Sequence, residues 1–595
     1  MPAQQENTTD TESYTKKRYS IHSIGLIVGI ALFIIILLMP FPTSMERSGY
    51  DTLSSRLPSD VVTSIEVGFG DEITSDTFSS FLLYAEGIDI AFSKTGPTAV
   101  RVPDGVPPSG YGTPLTLREA IHTQASAQKG VLALAAIMAV WWITEAVSVS
   151  LTALLPLVLL PLMRISHYQH ALFPGYFSVF SEYSNYLIFL FLGGFVIAAS
   201  MRRWGLDQRI SLGILSLFGT NPSRIILGFM VSTAFLSMWI SNTATAALMM
   251  PVALAVLTHA KVRPGESSFG LALMLSIAYA ASIGGIATLI GTPPNGIAAG
   301  FISQYLQKDI SFSQWMQIGL PVAIIMLPVA WRYLLWRSPP EIQEIAGGKA
   351  IIRDARASLG PLSTGERNTL AVFAVTAVAW ATRTSIVIDG STLLPGWSSW
   401  WGGMFAWAND STVSIMAVIL LFILPTDWSS HSFTMDWKTA ESHVPWGTLL
   451  LFGGGLTLGT AIANTGMASW IASYLTSLAS VSTLVLLLII IGLSVMLSEI
   501  TSNTATASML MPVMFALGAA MGKDPMLFMV AAAVATSLVF TLPVATPPNA
   551  IVYGTGYVPI EKMARVGLLL DALSIVVWTG ILYVIIGLLF GIVPL

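Results

Sequence analysis

Long apolar runs, separated by short polar stretches, fill most of the chain. Runs at 24–41, 131–162 and 568–593 are long enough to cross a hydrocarbon core as helices, which takes roughly 20 apolar residues. Others lie near 185–200, 223–258, 268–300, 316–336, 368–388, 412–425, 446–462, 481–519 and 525–557. Four of these runs are interrupted. Ser241-Asn242-Thr243-Ala244-Thr245 breaks 223–258, and Ser502-Asn503-Thr504-Ala505-Thr506 breaks 481–519. Thr292-Pro293-Pro294-Asn295 breaks 268–300, and Thr546-Pro547-Pro548-Asn549 breaks 525–557. The landmarks recur in one order at nearly one offset: 260 from Gly193 to Gly453, 261 from Ser241 to Ser502, 254 from Thr292 to Thr546. The pattern predicts an internal repeat.

The polar stretches complete the layout. Residues 1–20 read as a disordered tail, 21–41 as the first transmembrane helix, 42–127 as a soluble insert with strand-like pieces at 61–68 and 81–92, and 337–367 as a polar loop. The repeats then occupy 128–336 and 368–595. Lys and Arg gather on the cytoplasmic side of membrane proteins. If the first helix runs outward from Lys16, Lys17 and Arg18, the inner ends meet Arg202, Arg203, Arg224, Lys261, Arg263, Arg332, Arg337, Lys349, Arg353, Arg356, Arg367, Lys562 and Arg565. The outer stretches 388–411 and 461–480 hold neither Lys nor Arg; Arg164, Arg383 and Lys523 are the exceptions. This census closes only if both Ser-Asn-Thr runs are re-entrant hairpins, the first opening inward and the second outward. The repeats are then inverted, the N-terminus and the 337–367 loop are cytoplasmic, and the insert and C-terminus are extracytoplasmic. Inverted repeats with discontinuous helices are the pattern of secondary transporters.

Composition agrees. The 595 residues are 54% hydrophobic and 10% charged, against about 25% charged in soluble domains, so the fold class is an all-α polytopic membrane protein. The net charge of −4 points to no nucleic-acid partner, and the absence of cysteine excludes disulfides and thiolate metal sites. The first apolar run is longer than a signal-peptide core and no Ala-x-Ala follows it, so it reads as a signal anchor. The chain holds no H-E-x-x-H, G-x-S-x-G or G-x-x-x-x-G-K-[ST] sequence, the signatures of zinc hydrolases, serine hydrolases and P-loop enzymes; the protein is not expected to be an enzyme.

The interruptions carry the chemistry. Irregular backbone survives at membrane depth only where protein buries it or it lines a cavity. Paired prolines free carbonyls before a break and amides after it. Carbonyl and hydroxyl oxygens suit a small hard cation, and half-helix N-termini suit an anion. Asn offers both an oxygen and an NH2. Two such tips predict a substrate with two anionic ends and at least two coupling cations, whose charge the anion needs in order to bind.

Trp141-Trp142-Ile143-Thr144-Glu145-Ala146, the stretch FLSMWISNTATAALMMP at 235–251, the stretch 290–295 and the stretch 502–512 resemble the divalent anion/sodium symporters, the INDY-type dicarboxylate carriers. The resemblance covers about 129–593. It implies about eleven transmembrane helices plus two hairpins, a scaffold with a mobile elevator-type transport domain, and a homodimer in the cell membrane, here a bacterial inner membrane. It implies sodium-coupled uptake of a C4-dicarboxylate such as succinate, malate or fumarate; citrate or sulfate transport, and dicarboxylate antiport on the same fold, stay open. Carried over by motif, one sodium site would use Ser237, Ser241, Asn242 and the Gly291 carbonyl, the other Ser498, Thr501, Asn503 and the Ala545 carbonyl. The dicarboxylate would meet Asn242, Thr243, Thr292 and Pro293 from one half, and Ser502, Asn503, Thr504, Thr546 and Pro547 from the other. The insert 42–127 departs from the family's short loop and reads as a passive cover, with partner or substrate binding left open.

Other features read as structural. The Gly pairs allow close helix approach, Glu145 and Glu499 are framework or interfacial carboxylates, with a role in proton or cation coupling left open, and the Trp-rich loop 397–407 is an interfacial belt. His167 and His170 lack a third ligand for a metal.

Overall fold

A computed structural model of the chain describes residues 6–54, 82–83, 115–165, 178–344, 348–388 and 391–590. Among them, nine helices are long and apolar enough to cross a membrane. The other apolar segments form shorter helices, such as Pro222–Ser237, Asp410–Ile423 and Pro525–Ala535. The run 131–162 shows interruption directly: its second half is cut into Val149–Thr152 and Leu155–Leu162, with Pro156 in the first turn of the second piece.

Three outer boundaries differ from the sequence reading. The first helix runs Glu6–Leu38, so most of the tail expected to be disordered extends the apolar helix as further turns. The helix after the insert begins at Leu117 and runs to Thr144. The loop 337–367 contains a helix, Gly348–Ser358. Of the insert, the described parts are the helix Thr43–Ser54 and an antiparallel pairing of Leu82–Leu83 with Leu115–Thr116. The strand-like piece at 61–68, and His167 and His170, lie outside the described residues.

The chain groups into two compact units. One holds Met1–Tyr183, Leu450–Ser480 and Pro512–Pro525; the other holds Ser184–Leu449, Val481–Met511 and Met526–Leu595. In the first, Gly453 faces the Tyr183 ring and Gly454 faces the Ala153 carbonyl, and Gln124 and Gln128 donate to the Thr465 carbonyl at 2.6 and 3.0 Å. The second unit contains every candidate site residue.

Ten helices express the repeat. The first five are α1 (Pro222–Ser237), α2 (Asn242–His259), α3 (Ser268–Ile286), α4 (Pro293–Leu306) and α5 (Phe312–Arg337). Their counterparts are α6 (Thr483–Ile500), α7 (Asn503–Ala520), α8 (Pro525–Ala535), α9 (Pro547–Tyr553) and α10 (Ile560–Phe590). Polar side chains start them. Asn221 caps α1 by accepting the Ser223 N–H, and Ser267 caps α3 by accepting the Gly270 N–H. Ser311 and Gln314 form a reciprocal capping box at α5. Glu341 adds to the start of α3, accepting the Phe269 N–H at 2.7 Å.

The two helices that precede the proline breaks form the core. Phe269–Ile286 of α3 and Met526–Ala535 of α8 are buried throughout, as expected of helices apolar on every side. α3 packs on α1, α2, α5 and α9, and α2 also packs on α9, so elements of both repeats meet. α6 packs on α10. Outward faces are apolar and exposed, including Ile324 and Ile325 on α5 and Ile489 and Met496 on α6, as a lipid-facing surface requires.

One of the charge exceptions is explained within this unit. Arg383 pairs with buried Asp410, which also accepts the Phe312 N–H at 2.8 Å. Removing one partner of a buried pair strands the other charge, at a cost of about 3–5 kcal/mol. Asp410→Ala should therefore lower the thermal midpoint in detergent sharply, and Asp410→Asn by less.

Candidate functional site

The first Ser-Asn-Thr stretch is the junction between α1 and α2. Ser241 is the N-cap of α2, its hydroxyl accepting the Ala244 N–H at 3.3 Å, and Asn242 is the first residue of the helix. The cap geometry ends α1 and restarts a helix within a few residues, turning Asn242 back toward the end of α1. Ser237, the last residue of α1, is fully buried. Its Oγ lies 2.7 Å from Asn242 Oδ1 and 2.7 Å from the Ala281 carbonyl oxygen of α3.

The second stretch repeats this geometry. Ser498 Oγ, near the end of α6, lies 2.8 Å from Asn503 Oδ1 and 2.8 Å from the Thr536 carbonyl oxygen just past α8. Thr501 Oγ1 is engaged locally, with the Leu497 carbonyl at 2.9 Å and with the Thr506 hydroxyl.

A serine hydroxyl carries one proton, and both neighbours are acceptors. Whichever bond Ser237 or Ser498 makes, one pair of oxygens is left with lone pairs facing each other at hydrogen-bond distance. A small cation relieves that contact. The set is all oxygen and neutral, which suits a hard monovalent ion held reversibly. Gly285 lets Asn242 reach this position: a Cβ there would run into Asn242 Oδ1.

The Thr-Pro-Pro-Asn stretches open α4 and α9. Thr292 and Thr546 are the N-caps in extended conformation, both buried, and the Thr546 hydroxyl accepts the Asn549 N–H at 3.2 Å. Gly291 is buried, and a Cβ on it would lie 2.5 Å from the Gly285 carbonyl oxygen, so the first break folds directly onto the end of α3. Ala545 is buried and its N–H donates to the Leu542 carbonyl at 3.2 Å. Asn295 Nδ2 donates to the carbonyls of Gly285 and Thr288 at 3.0 and 2.7 Å, and Asn549 Nδ2 to that of Leu542 at 2.9 Å. Asn242, Ser502, Asn503, Thr504 and Pro293 are half-buried, while Thr243 and Pro547 are exposed. The structure thus brings Ser237 to Asn242 and Ser498 to Asn503; the Ser241 hydroxyl accepts a local N–H, and that of Thr501 meets the Leu497 carbonyl and the Thr506 hydroxyl.

Sequence reasoning missed several oxygens. The Ala281 and Thr536 carbonyls, 255 residues apart, carry no motif. Ser282 and Ser537, again 255 apart, have buried hydroxyls with no hydrogen-bond partner, and so do the side-chain oxygens of Asn295 and Asn549, 254 apart. The repeat offset relates the members of each pair, but nothing in the sequence singles out either member.

The sodium:sulfate symporter transmembrane region family matches residues 121–592. A sodium-dependent dicarboxylate transporter, SdcS, of Staphylococcus saprophyticus is 41% identical over 471 residues, covering 78% of this chain and 87% of that protein. SdcS of Staphylococcus aureus is 39% identical over 482 residues, covering 79% and 89%. Among solved structures, the Alcanivorax borkumensis YdaH transporter aligns with a TM-score of 0.46 at 13% identity, over 69% of this chain and 86% of that one, a likeness too slight to argue from.

Proposed function

The chain belongs to the sodium:sulfate symporter family, and we propose that it couples inward sodium movement to uptake of a C4-dicarboxylate such as succinate, malate or fumarate. The observation that carries this reading is the twin oxygen triad: Ser237, Asn242 and the Ala281 carbonyl in one half, Ser498, Asn503 and the Thr536 carbonyl in the other. Each triad takes one sodium ion, so at least two ions move per cycle. Ser241 and the Gly291 carbonyl join the first, and Thr501 and the Ala545 carbonyl the second. The dicarboxylate lies between the two stretches, one carboxylate toward Asn242, Thr243, Thr292 and Pro293, the other toward Ser502, Asn503, Thr504, Thr546 and Pro547. Neutral dipoles leave the anion weakly held until the cations are in place, which makes the two species interdependent.

The re-entrant layout belongs to the same proposal. α1, with 16 residues or about 24 Å of helix, is short of the roughly 30 Å hydrocarbon core; α2, α6 and α7 are each long enough to cross it, so for them the layout rests on the charge census. The orientation follows the charge census, with a cytoplasmic N-terminus and an extracytoplasmic C-terminus and insert. A homodimer with an elevator-type transport domain completes it.

The test is uptake of labelled succinate into proteoliposomes with and without an inward sodium gradient. Saturable uptake that needs sodium, and persists in vesicles empty of dicarboxylate, is the expected result. Uptake that ignores sodium and requires internal dicarboxylate would establish exchange instead.

A further inference from the structure

Both halves cover freed carbonyls with neutral donors, Asn295 Nδ2 in the first and Asn549 Nδ2 on Leu542 and the Tyr279 hydroxyl on Phe540 in the second, but the second adds carboxylates on freed amides. In the first, α3 stays helical to Ile286, so the break exposes carbonyls. Neutral donors cover them: Asn295 Nδ2 on Gly285 and Thr288, and Trp315 Nε1 on Ile286 at 3.1 Å. In the second, α8 stops at Ala535, five residues before Phe540, the position the 254-residue offset pairs with Ile286. This earlier unwinding exposes amides, and carboxylates cover them. Glu499 Oε1 accepts the N–H of Phe540 at 2.8 Å and of Thr541 at 2.9 Å, and Oε2 accepts the N–H of Leu542 at 2.9 Å. Asp571 of α10 shares the Phe540 N–H at 2.9 Å and takes the Thr541 hydroxyl. Both carboxylates are buried. At the position that the 261-residue offset pairs with Glu499, the first half has Met238.

Glu499 is the residue after Ser498. One end of its side chain is therefore fixed to the turn that carries the second triad, and the other end grips the segment that follows Thr536. We infer that Glu499 is a positioning residue for the second sodium site: it ties the unwound 540–542 segment to the end of α6 and so fixes the Thr536 carbonyl against Ser498. The first half has Met238 in place of this carboxylate, so the two cation sites are unequal by construction. Oriented carboxylate hydrogen bonds behind a ligand shell set its geometry and the field at the ion. This inference rests on the sodium-coupled reading above.

The experiment uses the full-length protein with Glu499→Gln, which keeps the side-chain shape and removes the charge that accepts three amides. Sodium dependence is read twice, as the half-saturating sodium concentration for succinate uptake and as the sodium-induced rise in thermal midpoint without succinate. Both should shift to roughly 10–100-fold higher sodium, with uptake recovering at saturating sodium and backbone amides 540–542 losing hydrogen-exchange protection. Met238→Gln, the matching position of the first half, should move neither. An unchanged sodium dependence in Glu499→Gln, or a loss of uptake that no sodium concentration restores while the protein stays folded, overturns the inference. If Glu499→Gln does not fold, Asp571→Asn is read the same way, and an unshifted sodium dependence there overturns it. Wild-type protein whose uptake and midpoint both ignore sodium would instead refute the functional reading, leaving the exchange protection of 540–542 to test the clamp alone.

Discussion

Asn242→Ala is expected to abolish sodium-dependent uptake while the protein remains folded, and Asn503→Ala to do the same. Each side-chain oxygen is one corner of a triad, 2.7 Å from Ser237 Oγ in one half and 2.8 Å from Ser498 Oγ in the other. A hydrogen-bonding group aimed at a charge contributes about 1.5–3 kcal/mol, so losing one such oxygen weakens sodium binding by roughly 10–100-fold. In the proposed site the same Asn turns its NH2 to the anion, so truncation there also removes a carboxylate contact. The two losses compound, because the anion binds well only beside its cations. Stability should change little: both residues are half-buried and stand at helix starts, and the Ser241 cap is untouched. The check is uptake together with thermal unfolding in detergent. Asn242→Asp separates the roles, keeping the cation ligand while placing a negative charge beside the substrate. It should hold sodium and still fail to carry dicarboxylate. Normal uptake in either alanine variant would remove the triads from the mechanism.

The symmetry of the site is legible in the sequence because it depends on words that recur. Paired prolines and Ser-Asn-Thr inside apolar runs force a break whatever surrounds them, so the order α1 to α4 and α6 to α9 follows from local chemistry. The participating carbonyls leave no such mark. The Ala281 and Thr536 oxygens are backbone atoms in different side-chain contexts, and they reach the serines only through the packing of α3 on α1 and the early end of α8. That early end is itself illegible. The stretch 536–542, Thr-Ser-Leu-Val-Phe-Thr-Leu, reads as continuous apolar helix. What unwinds it is tertiary: two carboxylates, from α6 and α10, that satisfy the amides a helix would otherwise satisfy. Glu499 reads from sequence as a framework residue with a coupling role left open, and its three amide partners show which segment it holds.

Gly285→Ala should separate transport from folding more cleanly than any ligand mutation. Alanine favours a helix over glycine by about 1 kcal/mol, and Gly285 lies inside α3, so local propensity predicts a more stable protein. The new Cβ, however, would meet Asn242 Oδ1, with Asn242 Cγ and Nδ2 at 3.1 Å. That obstacle is the end of a side chain, so it yields by rotating away. The fold survives and the first triad loses its corner. Binding constellations tolerate only about 0.5 Å of displacement, and the required shift exceeds this, so uptake should fall at least about tenfold at any sodium concentration that still saturates the wild type. Gly284→Ala is the control. Its Cβ would lie 2.5 Å from Ala234 Cα and strike the Ala234 carbonyl, both backbone atoms of α1 that cannot rotate away. Overpacking of that kind costs about 1–3 kcal/mol or more, so Gly284→Ala should lower the thermal midpoint where Gly285→Ala does not. The reverse outcome, Gly285→Ala folded and fully active, would mean that Asn242 need not stand against Ser237 for the protein to work.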